Sequence, residues 1–267
     1  MNEVFLDKLL SDARVVINEA VKFLRQERLR FNQSDVEYKG FNDLVSYVDK
    51  TSEEILVNGL QKLIPDAGFI TEENTLTLKD RDYMWIIDPL DGTTNFVHGI
   101  PCYCVSVGLT YKQELILGIV HEVNLDECFY ARKNGGAFLN EKAISVSPNP
   151  DLSKSLVATG FPYANFNRMK QYMEVFDFCM KNTQGIRRLG SAAVDLAYVA
   201  CGRFEIFYEY GLHPWDVAAG AFIVQEAGGE VTDFKGANHY IFGKEIIAGN
   251  KEVNETFLKE VTRAFYA

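Results

Sequence analysis

Apolar residues recur at helical spacing from Val4 through Leu9, Leu10, Val15, Val16, Val21 and Leu24, so residues 3–30 are predicted to form one long amphipathic helix. A second helix is predicted over 45–64, with Val48, Ile55, Leu56, Leu60 and Leu63 on one face and Pro65 ending it. Between them, YKGFNDLVSYVD reads as a turn-rich segment around Gly40 and Asn42. From 83 to 146 the pattern changes to short apolar runs, YMWIID, CYCVSVGLT, ELILGIVHE and ECFYARK, then Asn134-Gly135-Gly136 and AFLN. Such runs with short polar turns predict a largely antiparallel sheet behind the two helices.

Ser147-Pro148-Asn149-Pro150-Asp151 is short, polar and Pro-rich, and is the best boundary in the chain. It divides an N-terminal α+β half, 1–147, from a C-terminal α/β half, 148–267, and a functional site is expected between them. Beyond it strands and helices alternate: SLVATG, a helix near 168–181, GIRRL, an Ala-rich helix near 191–201, EIFYEY, a helix at 215–227, GEVTD, EIIAG and a helix at 251–265. Gly228-Gly229 reads as a helix C-cap. The alternation predicts a layered second half, so helices are expected to pack against two sheets.

Composition narrows the classes. A chain of 267 residues makes one large domain or two joined halves and can bury a sizeable core without disulfides or metal. A hydrophobic fraction of 47% with 24% charged residues is that of an ordinary globular protein. The net charge of −10 argues against a general nucleic-acid binder, which needs a basic footprint. Five cysteines without CxxC spacing indicate neither a disulfide framework nor a zinc site, and fit a reducing cytoplasm. The acidic start lacks the basic head of a signal peptide, and no run reaches the ~18 apolar residues that span a bilayer. A cytoplasmic location with no membrane association is the expectation.

Trp85-Ile86-Ile87-Asp88-Pro89-Leu90-Asp91-Gly92-Thr93-Thr94-Asn95-Phe96 carries the most chemistry. An apolar strand runs into two carboxylates on one tight turn, which can converge on a hard cation that takes oxygen ligands. Gly92-Thr93-Thr94 then offers N–H groups and hydroxyls to an anion, the more so if a helix starts there. The competing structural reading is an Asp-Pro…Asp-Gly turn with Asp as a cap. Glu72-Glu73 follows the apolar Gly68-Phe69-Ile70 at a strand tip, or is a solvated loop pair. Asp49 lies in a segment where Asp43 equally serves as a cap for the second helix. Asp216 opens an Ala/Gly-rich helix after His213-Pro214-Trp215, as a ligand or as its N-cap, and Ala218, Ala219 and Gly220 read as packing residues. His213 reads as a packed structural histidine, Cys102 and Cys104 as core, and Arg187-Arg188 as either a phosphate contact or a surface pair.

DPLDGTTNF, with WDVAAG about 125 residues later, resembles the inositol monophosphatase family. KGFNDLVSYVD, the Glu-Glu segment, FVHGIPCYCVSVGL, GSAAVDLAYVACGRFE and QEAGGEVTDF extend the likeness over about residues 39–233. The resemblance implies a five-layer αβαβα fold and a Mg²⁺-dependent, lithium-sensitive phosphatase acting on a small phosphorylated polyol or sugar, myo-inositol monophosphate first among them. It implies two or three Mg²⁺ ions held by Glu72, Asp88, Asp91, Asp216 and the Leu90 carbonyl. Gly92 and Thr93 match the phosphate-contacting turn, and Thr93 with Asp49 the pair that activates a water. Gly190, Ser191 and Ala192 match a substrate-contacting segment, where Asp91 and Asp216 also face the substrate, and Glu209 matches an acid that binds sugar hydroxyls. Lys39 matches a lysine near phosphate and metals. A homodimer is expected on the same ground.

Two positions depart from the family. Thr71 replaces the usual Gly before the two glutamates, and a Cβ there disfavours φ > 0, so the Glu72 loop is expected to sit differently. Glu205 replaces the usual Asp of GRxD, which makes the sugar-side pocket less predictable than the metal side. The charge balance agrees with the metal assignment. Four carboxylates and a phosphate monoester of about −2 repel each other unless cations join them. The alternatives are a fructose-1,6-bisphosphatase, a 3′(2′),5′-bisphosphate nucleotidase, or a non-catalytic regulatory binding protein on this fold. Thr94-Asn95-Phe96 favours the inositol type over the nucleotidases, which generally carry Lys-Glu-Phe there.

Overall fold

The computed structural model describes residues 2–31, 36–40, 43–74, 81–162 and 165–267, with backbone alone for 36–40 and 43–46. Helix α1 (Glu3–Arg28) is capped by Asn2, whose side chain accepts the Val4 N–H. Its buried stripe is Leu6, Leu9, Leu10, Ala13, Val16, Ile17, Ala20, Val21 and Leu24. Val4 and Val15, expected on that stripe, fall outside it at 74% and 61% exposed, because 3.6 residues per turn carries them onto the solvent side. A short hairpin, β1 (Val36–Gly40) with β2 (Asp43–Ser46), leads into helix α2 (Tyr47–Leu63). Asp43 therefore opens a strand and is not the cap of α2.

The first sheet has seven strands in the order of the chain: β3 (Gly68–Thr71), β4 (Tyr83–Asp91), β5 (Cys104–Tyr111), β6 (Glu114–Glu122), β7 (Glu127–Arg132), β8 (Ala137–Leu139) and β9 (Lys142–Ile144). Among the described strands of this sheet only β3 and β4 run parallel, as the short polar turns after β5 predict. Side chains alternate between two cores. Trp85, Ile87, Val105, Val107, Leu117 and Ile119 pack with α1 and α2, while Ile86, Cys104, Val120, Phe129 and Ala131 face the opposite way. A sheet covered on both faces accounts for the near-continuous apolar runs. Between β4 and β5, the turn Thr93–His98 is helix α3.

The second sheet, ordered β11-β10-β12-β14-β13, is built from β10 (Leu156–Thr159), β11 (Gly185–Arg187), β12 (Ile206–Tyr210), β13 (Glu230–Thr232) and β14 (Glu245–Gly249). Helices α5 (Ala192–Ala200) and α6 (Pro214–Glu226) share a core with Phe207, Ile246 and Ala248 of this sheet and with the first sheet's inner face. Helices α4 (Met169–Asn182) and α7 (Lys251–Tyr266) cover its other face through Tyr172, Val175, Phe257 and Val261 on Tyr208 and Ile247. The layers are therefore αβαβα, as expected.

The central helix α6 lies very close to the first sheet. A Cβ added at Gly118 would stand 2.7 Å from the Ala219 carbonyl oxygen, so Ala218-Ala219-Gly220 is a packing stripe. Gly118→Val is expected to cost about 1–3 kcal/mol or more of unfolding free energy, because overpacking here meets backbone that cannot yield. Urea unfolding of the variant checks this, and wild-type stability would refute the close approach. Glu205 immediately precedes β12. Its carboxylate accepts the Ser147 hydroxyl at 2.8 Å and the Leu156 N–H at 2.6 Å, fastening the connection between the sheets.

Candidate active site

Strand β4 ends in the Asp88–Asp91 turn, whose geometry is local. The Leu90 N–H donates to Asp88 Oδ1 at 3.0 Å, and the register with β5 shifts between Asp88 and Asp91. That bulge lets two carboxylates three residues apart point to one side. Gly92 then takes φ +98°, a left-handed conformation that a side chain would strain, and caps α3. The first N–H groups of α3 have no partner within the helix.

Four segments meet at this turn. From α2, Asp49 Oδ1 accepts the Thr93 hydroxyl at 3.0 Å, and the same hydroxyl lies 3.0 Å from the Leu90 carbonyl. From the end of β3, Glu72 is hydrogen-bonded to Asp88 and feels the charges of Asp216, Glu73 and Asp49. From α6, Asp216 is bonded to Asp88 and accepts the His213 N–H at 2.6 Å. Asp216 is thus the third residue of its helix and closes the first turn from inside. From α5, Ser191 caps its helix and donates to Asp91 Oδ2 at 2.7 Å, while the Ala193 N–H reaches the same oxygen at 2.7 Å. The positive end of α5 therefore holds Asp91.

Thr71 does not distort the Glu72 loop as expected: it completes β3 without positive φ, so no glycine is needed there. His213 is exposed and stacks on Trp215 at 4.7 Å, a structural role without the burial expected. Cys104 is core, its thiol 3.9 Å from Asp91 Oδ2, and burial pushes the Cys102 thiol up to about 12. Burial raises the carboxyls of Asp91, Asp195 and Glu209, and the charge of Arg188 partly opposes that rise. Glu209, buried on β12, feels Asp216 and Asp91. Gly190 is left-handed at φ +95° just before α5, so the 190–192 segment lies beside Asp91. The side chain of Lys39 lies outside the described residues.

Four contributors escaped the sequence reading. Asn95 donates its amide to the Leu189 and Cys102 carbonyls at 2.8 and 2.7 Å, binding the Gly92 turn to the 188–191 segment. Asp195 is buried in α5, and no described group hydrogen-bonds its Oδ1. Ser52 and Glu53 reach the site from α2. Asn95 follows a legible motif, but none of these residues has a spacing that marks it, since their partners are distant in sequence.

Desolvation and mutual repulsion push the Glu72 and Asp88 carboxyls well up. Asp91 is raised chiefly by burial, and Asp216 by burial and the charge of Asp91 to about 7. The Glu72–Asp88 and Asp88–Asp216 bonds each need a proton on one partner. Among the described residues no three His, Cys, Asp or Glu side chains already close as a metal cage. The donor set nevertheless fits hard divalent cations: all ligands are oxygen, and solvent reaches Glu72, Asp91 and Asp216.

A pH dependence follows. For Asp216 the folded value of about 7 stands above the ordinary 3.8, so the folded state holds a proton that the unfolded chain has released. That contribution is fully present below about pH 4 and is lost as pH rises through about 7. Cation-free protein is expected to unfold at lower temperature at pH 8 than at pH 5, with the difference shrinking when divalent cation is added. A melting temperature indifferent to both would contradict the protonated cluster.

The model of the inositol monophosphatase family matches residues 6–265. An inositol-1-monophosphatase of Mesorhizobium japonicum is 37% identical over 233 residues, 87% of this chain and 88% of that protein. A putative Nus factor SuhB of Neisseria meningitidis is 43% identical over 225 residues, 84% and 86% of the two chains. Among solved structures, the extragenic suppressor protein suhB of Bartonella henselae superimposes with a TM-score of 0.89 at 37% identity, covering 95% of this chain and 98% of that one. The inositol monophosphatase of Anabaena gives 0.86 at 34% identity, covering 97% and 96%.

Proposed function

This chain belongs to the inositol monophosphatase family and is a phosphatase, and from that premise we propose that it hydrolyses myo-inositol monophosphate with Mg²⁺. The observation that carries the reading is the convergence of Glu72, Asp88 and Asp216 through shared hydrogen bonds, with Asp91 on the adjoining turn and Thr93–Asp49 beside them. Glu72, Asp88, Asp91, Asp216 and the Leu90 carbonyl would hold two or three Mg²⁺ ions. Bound cations would neutralise the acids and phosphate and make a water more acidic.

The chain's own groups supply the rest. The Asp49 carboxylate is a stronger acceptor than the Leu90 carbonyl, so it draws the Thr93 proton and leaves the Thr93 oxygen free to accept one from water. The proton can then pass from water to Thr93 as that of Thr93 passes to Asp49. Gly92 and the first turn of α3 offer N–H groups to the phosphate. Gly190, Ser191 and Ala192 line the substrate side, where Glu209 accepts from sugar hydroxyls and Asp91 and Asp216 border both substrate and metal. The halves 1–147 and 148–267 each contribute, with the site between them. Lithium sensitivity, a homodimer and a cytoplasmic location belong to the same proposal.

Phosphate release from myo-inositol 1-phosphate, with Mg²⁺ and with EDTA, tests the reaction. Release that needs Mg²⁺ is expected. A kcat/KM higher for fructose 1,6-bisphosphate or an adenosine 3′,5′-bisphosphate would move the substrate assignment. A partner-binding role alongside catalysis is favoured by the relatives named Nus factor SuhB. A partner that co-purifies equally with wild type and Asp91→Asn would support it, and co-purification lost with the metal site would not.

A further inference from the structure

Asp49, Ser52 and Glu53 occupy positions i, i+3 and i+4 of α2, which lie on one face of a helix. All three are buried, at 1%, 0% and 0% exposed, although all are polar. Each is bonded to a different segment of the site. Asp49 accepts the Thr93 hydroxyl at 3.0 Å, Ser52 donates to the Pro89 carbonyl at 2.9 Å, and a Glu53 carboxylate oxygen accepts the Glu73 N–H at 2.8 Å. One turn of a rigid helix therefore indexes the β4 turn, the start of α3 and the loop after β3.

The third bond matters most. The Glu72 loop leaves β3 after Thr71, and the described residues 72–74 pair with no strand. Its acid stands against Asp88, Asp216 and Asp49, all of the same sign. The bond that a Glu53 oxygen accepts from the backbone N–H one residue beyond Glu72 fixes this loop against α2, whatever the protonation of the acids. A carboxylate makes such a bond about twice as strong as a neutral acceptor would.

We propose that Glu53 is a positioning residue that holds the Glu72 loop at the distance from the Asp88–Asp91 turn at which divalent cations bind. Resting on the metal-dependent reading above, this assigns Glu53 no contact with metal or substrate. Its length sets the position of Glu72, while its charge serves only the strength of the bond. Support of this kind around a metal ligand is typically worth 10–100-fold in affinity.

Two substitutions separate reach from charge. Glu53→Gln keeps the reach and loses the charge; Glu53→Asp keeps the charge and, one methylene shorter, loses the reach. Mg²⁺ titration by calorimetry is expected to give an affinity within about threefold of wild type for Glu53→Gln and at least about tenfold weaker for Glu53→Asp. At saturating Mg²⁺, kcat of Glu53→Asp is expected to recover most of its wild-type value, a split that general loosening of the fold would not give. The reverse order of the two variants, or wild-type affinity in Glu53→Asp, overturns the assignment. If Glu53→Asp does not fold, hydrogen exchange of the Glu73 amide in Glu53→Gln decides: affinity that follows amide protection supports the role, and affinity that departs from it overturns it. Wild-type protein that binds no Mg²⁺ would overturn the metal reading itself, whereas wild-type binding with an unaffected Glu53→Asp would remove Glu53 alone.

Discussion

Asp91→Asn is expected to abolish phosphate release while leaving the fold intact. The Asp91 carboxylate joins two structures: its Oδ2 takes the Ser191 hydroxyl and the Ala193 N–H at 2.7 Å each, and its charge reaches Asp88 and Asp216. An amide keeps one oxygen for the end of α5 but presents an NH₂ group, a donor, where cations and substrate need an acceptor. If the amide turns round, its donors meet the donors of α5 instead. Either orientation removes a negative charge from the cation site. The loss in kcat/KM is expected to be at least about a thousandfold, the upper range for removing one preorganised electrostatic contact. Excess Mg²⁺ should not restore it, and the melting temperature should stay within a few degrees of wild type. Near-normal turnover at saturating Mg²⁺ would show that Asp91 neither binds metal nor orders the substrate segment.

Thr93→Ala and Asp49→Asn are expected to lower kcat by roughly 10²–10⁴, the range for losing a positioned proton acceptor, with little change in KM. Thr93→Ala removes the oxygen that takes the water's proton. Asp49→Asn leaves that oxygen but replaces the carboxylate that draws its hydrogen from 3.0 Å away. The two groups act in sequence on one proton, so the double variant should be no worse than the poorer single one. Additive losses would mean that they serve separate steps. Calorimetric Mg²⁺ affinity supplies the control, since a tenfold weaker cation site in Thr93→Ala would make the Leu90 carbonyl contact, not proton transfer, its main task.

Glu53 and Asp91 illustrate two kinds of legibility. Asp91 stands in a motif where strand, turn and carboxylate spacing are all local, and local spacing can be read along a chain. Glu53 lies in an amphipathic helix where an acid is expected in solvent, and only its pairing with Glu73, across β3, gives it a task. The same contrast runs through Ser191, which reads as a helix start but in three dimensions holds an acid 100 residues away in sequence. Glu205, a departure whose consequence the sequence left open, is tied to Ser147 and Leu156, because which side of the chain reversal a carboxylate faces is set by packing.

Hydropathy period and turn chemistry determined the elements of this protein. Helices α1 and α2, the strands from β4 to β7, and the alternation after residue 150 follow from which residues must leave water, a property each residue carries with it. The DPLDG turn and its carboxylates belong to the same category. Tertiary structure alone decided which faces meet: that α6 lies on Gly118, that Asp49 finds Thr93, and that Glu72 and Asp216 come within hydrogen-bonding reach of Asp88. Those outcomes depend on distances between segments remote in sequence, and on a repulsion among acids that no single segment contains.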